Sequence, residues 1–444
     1  MKPTDTARPP RFSTLDEWLS WFETLHPKKI DFSLDRVRQV LSTLGIARPD
    51  FRVITVGGTN GKGSCVAILE SAYLAAGFSV GAFTSPHLLR FNERIRVNGS
   101  DATDDELISL FDGVDRALGS VTLSYFESSA VAALLAFARA EVDIAILEVG
   151  MGGRLDAVNA VEPDAALIVS VDLDHMDWLG PDREAIGREK AGILRAGRPA
   201  IIAEKDPPES VRTAVSELGA IGFYFGKDYT VESVKSGLVW HGPDGRQEAL
   251  PWPPFGGAVQ AGNVAACVAV IDSLRHILPV EASALTRGIE NVRLPGRLDC
   301  RRIDGVDWFF DVAHNEAAAK RFAEGLVAEP NVTQRAAVFG AMRDKTLDTV
   351  VAPFLDSVDV WLVAPIDSDR TARAEDIRAL LEAAGARRVV EFADIAAATQ
   401  AARDGGFPQV LVFGSFYTVG PAMQTLGIYS DSHSPRDPKA WTQA

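Results

Sequence analysis

FRVITVGGTNGKGSCVAILESAYLAAG, residues 51–77, is the stretch on which the fold turns. Its first six residues, FRVITV (51–56), form a nearly continuous apolar run of the kind found in a parallel strand covered on both faces. A glycine-rich turn, GTNGKGS (58–64), follows at once, and apolar residues at helical spacing follow the turn. In such a strand–turn–helix the glycines allow backbone N–H groups to close around phosphate oxygens. Lys62 can reach the outer phosphates, the Ser64 hydroxyl can approach magnesium, and the helix N-terminus favours an anion. The turn departs from the general phosphate-loop pattern in its shorter spacing before Gly-Lys and in Gly63, which separates Lys62 from Ser64.

Outward from this unit the same alternation continues. FSVGAFT (78–84), VDIAILEV (142–149), DAALIVSV (164–171) and RPAIIAE (198–204) read as further buried strands, with helical patterns at 64–76, 104–118, 127–140 and 183–194. The expectation is a doubly wound α/β domain whose ligands sit at the carboxyl ends of the strands. Residues 229–256, with short alternating runs, suggest an antiparallel appendix, and 260–277 and 281–290 suggest helices. RLPGRLDC (293–300) reads as a hinge into a second, smaller Rossmann-like α/β domain. Its strands are expected at 307–314, 335–341, 358–365, 387–392 and 409–415. The resulting division is a helical segment at 1–50, a phosphate-loop domain at 51–294, a C-terminal domain at 295–429 and a disordered tail at 430–444.

The composition narrows the class of partner. With 444 residues, 47% hydrophobic and 24% charged, the chain can bury sizeable cores. A net charge of −15 argues against non-specific binding to nucleic acid. Cys65, Cys267 and Cys300 fit neither a disulfide framework nor a zinc spacing, which points to a reducing compartment. The polar, Pro-rich start MKPTDTARPP has no signal-peptide core, and no apolar run is long enough to span a bilayer. A soluble, cytoplasmic protein without membrane partners is expected.

Polar residues cluster where strands end. Ser85 follows the second strand, Glu148 closes VDIAILEV, and Asp174-His175 follow DAALIVSV. Together they could hold a magnesium ion beside the phosphate loop. Taken singly, Glu148 reads equally well as a turn cap and His175 as a loop histidine. Lys190, on a helical stretch next to Arg188 and Glu189, has the surroundings of a solvated surface lysine. In the second domain, Asp311 and His314 of FFDVAHN (309–315) either face a nucleotide or cap a helix.

GTNGKGS, TSPHL, SYFES, ILEVGMGGRLDAVN, DLDHMDWLG, GREKAGIL, LPGRLD and FDVAHN occur in an order that resembles the folylpolyglutamate synthase family, a branch of the Mur-type ligases, over residues 14–426. The resemblance implies a Mur-ligase-like central domain and ATP-dependent amide ligation. L-glutamate would be joined to dihydropteroate, giving dihydrofolate, and to reduced folates. It implies that Asn60, Gly61, Lys62, Gly63 and Ser64 bind ATP phosphates, with Asn263, Arg297 and Asp311 as further nucleotide contacts and His314 close to the phosphates. Ser64, Ser85, Glu148 and His175 would serve magnesium, in a site of two ions. Lys190 would carry a CO2-derived carbamate as a further metal ligand. Lys62, Lys190 and His314 would be the catalytic group. Ser124, Tyr125, Phe126 and Glu127, with Arg154, Leu155 and Asp156, match pterin-binding segments. Relatives of this kind are mostly monomers.

Two other classes compete. A peptidoglycan amino-acid ligase would carry a UDP-binding domain before the phosphate loop, and residues 1–50 are too few for one. A nucleotide-dependent switch would differ in lacking sustained, glutamate-dependent phosphate release.

Overall fold

The computed structural model describes residues 10–28, 33–256, 260–326, 334–343 and 346–429. The start of the chain at residues 1–9 and the tail expected from Ser430 lie outside these residues. The run after Phe51 is β1 (Arg52–Gly57), an interior strand of an eight-stranded sheet. Beside it lie β2 (Val80–Phe83), then two short strands, β3 (Ile95–Val97) and β4 (Ser100–Asp101). The sheet continues with β5 (Ile144–Glu148), β6 (Ala165–Ile168), β7 (Pro199–Ile202) and β8 (Ile221–Tyr224). The spatial order is β4-β3-β2-β5-β1-β6-β7-β8. All pairings are parallel except β2–β3 and β3–β4.

The five anticipated strands are therefore present, β1 shifted by one residue and the other four trimmed at their ends. β3, β4 and β8 are additions. Their brevity and the half-exposed residues of β8 deprive them of the apolar run that marks a central strand. The helix Lys62–Ala75 is buried on nearly every side, because the sheet covers one face and helix Ala282–Asn291 another. A Cβ on Gly288 would lie 2.5 Å from Ala72 Cα, so the glycine permits that close crossing. Helices Leu15–Leu25 and Asp35–Thr43 add Trp18, Phe22, Val37, Val40 and Leu41 to the core on the other face.

The antiparallel appendix is a three-stranded sheet of β9 (Thr230–Val234), β10 (Gly237–His241) and β11 (Gln247–Leu250). The second large sheet comprises β12 (Asp299–Ile303), β13 (Val306–Asp311), β14 (Arg335–Phe339), β15 (Val360–Val363), β16 (Val389–Glu391) and β17 (Gln409–Phe413). Its order is β12-β13-β17-β14-β15-β16, parallel apart from β12. Asp299 and Cys300, read from sequence as part of a hinge, instead begin the edge strand β12. No helix among the described residues is long and apolar enough to cross a membrane.

Candidate active site

The carboxyl end of β1 runs straight into the phosphate loop. Gly61 precedes the helix at φ +87°, and a Cβ there would sit 2.8 Å from Val169 Cγ1. Only glycine meets both demands without strain. No side chain caps this helix, so amides of its first turn remain available to an anion. The loop is held from outside: Asn60 N donates to Ser170 Oγ, and that hydroxyl donates to Asn60 O, both at 3.0 Å. Lys62 Nζ lies over the loop, donating to Gly58 O at 3.0 Å and Thr59 O at 3.3 Å.

Parallel pairing puts Glu148 opposite Val56, and β2 ends just before Ser85 on the far side of β5. Glu148 is buried, and one oxygen accepts from Ser85 N at 3.1 Å. Burial raises its pKa, while Lys62, Ser85 N, Arg297 and Arg96 work in the opposite direction. Ser64 is also buried, one residue beyond Gly63, whose position faces the Glu148 carboxylate. His175, at φ +51°, heads the short helix Met176–Leu179 with its ring partly exposed. Lys190 departs most from its sequence impression. It is 3% exposed on helix Arg183–Ala191, and burial, then repulsion from Lys62, lowers its pKa to about 7.

The second sheet supplies the opposite wall. Asp311 ends β13 and accepts from Leu298 N and Ala313 N, each at 2.8 Å. Burial raises its pKa to about 6 despite Arg297. Arg297 lies over the Phe416 ring, 4.9 Å from its centroid. His314 Nδ1 is 2.9 Å from Val312 O. A carbonyl only accepts, so Nδ1 carries a proton and Nε2 is the basic atom of the neutral ring. A cavity of about 250 Å³ brings these groups together, lined by the phosphate loop, Ser85, Glu148, His175, Lys190, Asn263, Arg297, Asp311 and His314 among others.

Further polar residues stand at or next to the cavity. Asn315 reaches Asn60 Oδ1 at 3.2 Å and Asp174 Oδ2 at 3.5 Å, bridging the two sheets' loops. Asp174 was already a candidate beside His175, whereas Asn315 was not singled out, although its place at the end of FFDVAHN was an available signal. Ser170, read as part of the strand DAALIVSV, and Arg321, one charge on a helix, also line the cavity and carried no such signal.

The segments expected to bind pterin are placed differently. Ser124 and Glu127 form a complete capping box on helix Tyr125–Arg139, and Glu127 also pairs with Arg36 at 2.7 Å. Asp156 is buried, receives Met151 N and Val158 N, and has its pKa raised to about 7, chiefly by burial. These three side chains hold the backbone and do not line the nucleotide cavity. Phe126 packs beneath Gly150, where a Cβ would come within 2.5 Å of the ring. Arg154 and Leu155 line a smaller depression with Trp178, Leu179 and Met151. Tyr125 lies beside Arg94.

A glycine-rich anion loop at one sheet's carboxyl end, faced by strand-end residues of a second α/β unit, defines a ligase of the Mur type. The Mur ligase middle domain matches residues 56–271, and the Mur ligase glutamate ligase domain matches residues 296–416. The chain is 39% identical over 422 residues to dihydrofolate synthase/folylpolyglutamate synthase of Escherichia coli K12, covering 94% of this chain and 97% of that protein. Identity to the Haemophilus influenzae protein of the same name is 34%, with 92% and 96% covered. The structure of E. coli FolC in complex with DHPP and ADP superposes with a TM-score of 0.88 at 38% identity, covering 95% and 99% of the two chains. A bifunctional folylpolyglutamate synthase/dihydrofolate synthase with Mn, AMPPNP and L-glutamate bound gives 0.86 at 37% identity, covering 95% and 100%. The chain belongs to the dihydrofolate synthase/folylpolyglutamate synthase family.

Proposed function

We propose that this protein is an ATP-dependent ligase that joins L-glutamate to dihydropteroate, forming dihydrofolate, and to reduced folates, extending their glutamate tails. The observation that carries this reading is the convergence of an uncapped phosphate loop, buried Glu148 and Lys190, and Arg297, Asp311 and His314 in one cavity. The full-length relatives supply the substrate class.

The chemistry explains the collection. A carboxylate is a poor electrophile, so its oxygen first attacks the γ-phosphorus of ATP, and ADP leaves. The nitrogen of glutamate then attacks the carbonyl carbon of the acyl phosphate, the C–O bond to phosphate breaks, and inorganic phosphate departs as the amide forms. The first step brings two anions together. Lys62, the helix amides and Arg297 oppose that repulsion through fixed positive charge and dipoles. Asn60 and Asn263 position the nucleotide, Asp311 holds the strand-end loop that faces it, and His314 stands at the phosphate edge. Shielding by the second unit keeps water from hydrolysing the acyl phosphate. The Phe126 side of helix Tyr125–Arg139 and the Arg154–Leu155 turn form the acceptor wall, with Ser124, Glu127 and Asp156 maintaining its backbone.

The donor set suits a divalent cation. Glu148 is a buried carboxylate whose ionisation burial opposes, and a dication restores that ionisation. Ser64, Ser85, Glu148 and His175 would hold magnesium, and Lys190 as a carbamate would add oxygen ligands for a second ion. Bound there, the metal supplies charge neutralisation for the phosphates. Carbamate formation needs a neutral amine, which a pKa of about 7 makes abundant at neutral pH. The amine nitrogen bonds to the carbon of CO2 and releases one proton.

Product mass spectrometry with dihydropteroate, or a tetrahydrofolate monoglutamate, ATP and glutamate tests the reading. One glutamate unit should appear on each acceptor, with ADP formed only when acceptor and glutamate are both present. Absence of conversion of dihydropteroate at saturation removes the synthase half. Steady ADP release without either substrate favours a simple nucleotide hydrolase.

A further inference from the structure

Arg94 is a buried cation that the reactions described above do not use. It ends the turn Phe91–Arg94 just before β3 and is 9% exposed. Its guanidinium carbon lies 5.4 Å from the ring centroids of both Phe91 and Tyr125. Arg94 Nε donates to His87 Nδ1 at 2.9 Å, so that ring nitrogen carries no proton. Among the described residues neither Nη atom has a hydrogen-bond or ion-pair partner. Neither Nη belongs to the unpaired side-chain atoms sealed in the interior, so each keeps some accessible surface.

This contrasts with Arg96, two residues on. Arg96 is also buried, but it is matched by Glu70 through hydrogen bonds of 2.7–3.2 Å and by Thr84 Oγ1 and Glu93 O. A guanidinium held by two aromatic rings, with its outer fork open and no carboxylate in contact, has bidentate capacity for an anion. Holding it there without an anion costs desolvation that nothing nearby repays in full.

The location identifies the anion's chemistry. Thr84 N donates to Arg94 O, while Phe83 pairs with both Ile95 and Leu147, so Arg94, Ser85 and Glu148 share one end of the sheet. The charged and titratable groups around the guanidinium are His87, Tyr125, Tyr417, Glu93 and Glu148. Arg94 thus stands between the start of the acceptor helix, the metal corner and helix Phe416–Thr425 of the second unit.

We propose that Arg94 binds a substrate carboxylate other than the one being activated. The inference rests on the ligase reading above. Two sources share this chemistry: the α-carboxylate of a folate that already carries glutamate, and a carboxylate of the incoming glutamate. Dihydropteroate has a single carboxylate, the reacting one, so it separates the two.

The test is Arg94→Met, which keeps length and apolar packing between the rings, assayed beside wild type for KM and kcat with each substrate. If the folate tail is the ligand, KM for the tetrahydrofolate monoglutamate rises at least about tenfold, the usual cost of a lost charge-assisted hydrogen-bond pair. KM for dihydropteroate and for glutamate then stays near wild type. If the incoming amino acid is the ligand, KM for glutamate rises by that factor with both acceptors. Arg94→Lys should recover part of either loss but not all, since a lysine cannot offer the fork. Unchanged KM values in a folded variant, or a fall in kcat alone, overturn the proposal. Wild-type turnover tests the ligase reading separately. Should Arg94→Met fail to fold, affinity of the wild type for carboxamide analogues decides. Equal affinity of the analogues with the α-carboxylate of the folate or either carboxylate of glutamate amidated overturns the proposal, and a loss of about tenfold with one of them supports it.

Discussion

Two helices of the first domain begin in opposite ways. Helix Lys62–Ala75 starts after left-handed Gly61 with no side-chain cap. Helix Tyr125–Arg139 starts with Ser124 and Glu127 closed into a full capping box. A helix N-terminus always presents unpaired N–H groups, and the protein either satisfies them itself or leaves them to a ligand. Both starts belong to motifs on which the resemblance to the ligase family rests, yet one motif keeps its donors open and the other engages Ser124 and Glu127 in holding a backbone. Presence in a family motif therefore does not distinguish a residue that touches substrate from one that holds the residue that does.

The largest effect that follows from this contrast is at Lys62. Lys62→Ala should leave the fold intact and slow ligation at least a hundredfold, on the order of 3 kcal/mol of lost transition-state stabilisation. Steady-state kinetics with unfolding as control measures it, and near-wild-type turnover removes the phosphate-loop assignment. Gly61→Ala should act at the same loop by another route. The Cβ meets Val169 Cγ1 and the φ of +87° is unfavourable, so nucleotide affinity measured by calorimetry should fall sharply.

Next in size is Lys190. Lys190→Ala should lose most activity, and a short carboxylic acid in the buffer should restore part of it. Lys190→Arg should not substitute, because it keeps its charge and forms no such carbamate. The amine is protonated below its pKa of about 7 and neutral above it. At fixed dissolved CO2, the carbon-13 carbamate signal should therefore grow as pH rises through that value. An unmodified amine in a fully active, metal-bound enzyme sinks the carbamate.

The smallest effect is expected at the closed helix start. Ser124→Ala should cost about 1 kcal/mol of stability in denaturant unfolding, with KM for dihydropteroate close to wild type. A large rise in that KM at unchanged stability would make Ser124 a substrate contact and break the contrast between the two helices.

The interior strands of the first sheet were legible in sequence because parallel strands covered on both faces read as apolar runs. The edges were not: β12, Asp299–Ile303, has the sequence DCRRI and alternates burial with exposure, so it looks like a connection. In the site, GTNGKGS declared itself because few other roles demand three glycines, a lysine and a serine together at a strand's end. Lys190 did not, since REKAG has the composition of a solvated helix face, and only the three-dimensional packing reveals a buried amine. Arg94 escaped for the same reason. NERIRV looks like a charged edge strand, and nothing local shows that one arginine is matched by Glu70 while the other is left open.

The most direct measurement concerns the acyl phosphate itself. Dihydropteroate labelled with oxygen-18 in its carboxylate is turned over with ATP and L-glutamate, and the inorganic phosphate is analysed by mass spectrometry. The account predicts that each phosphate carries one oxygen from the carboxylate, because the attacking oxygen leaves with phosphorus when the amine displaces it. Phosphate free of label, alongside dihydrofolate formed at the normal rate, would contradict it.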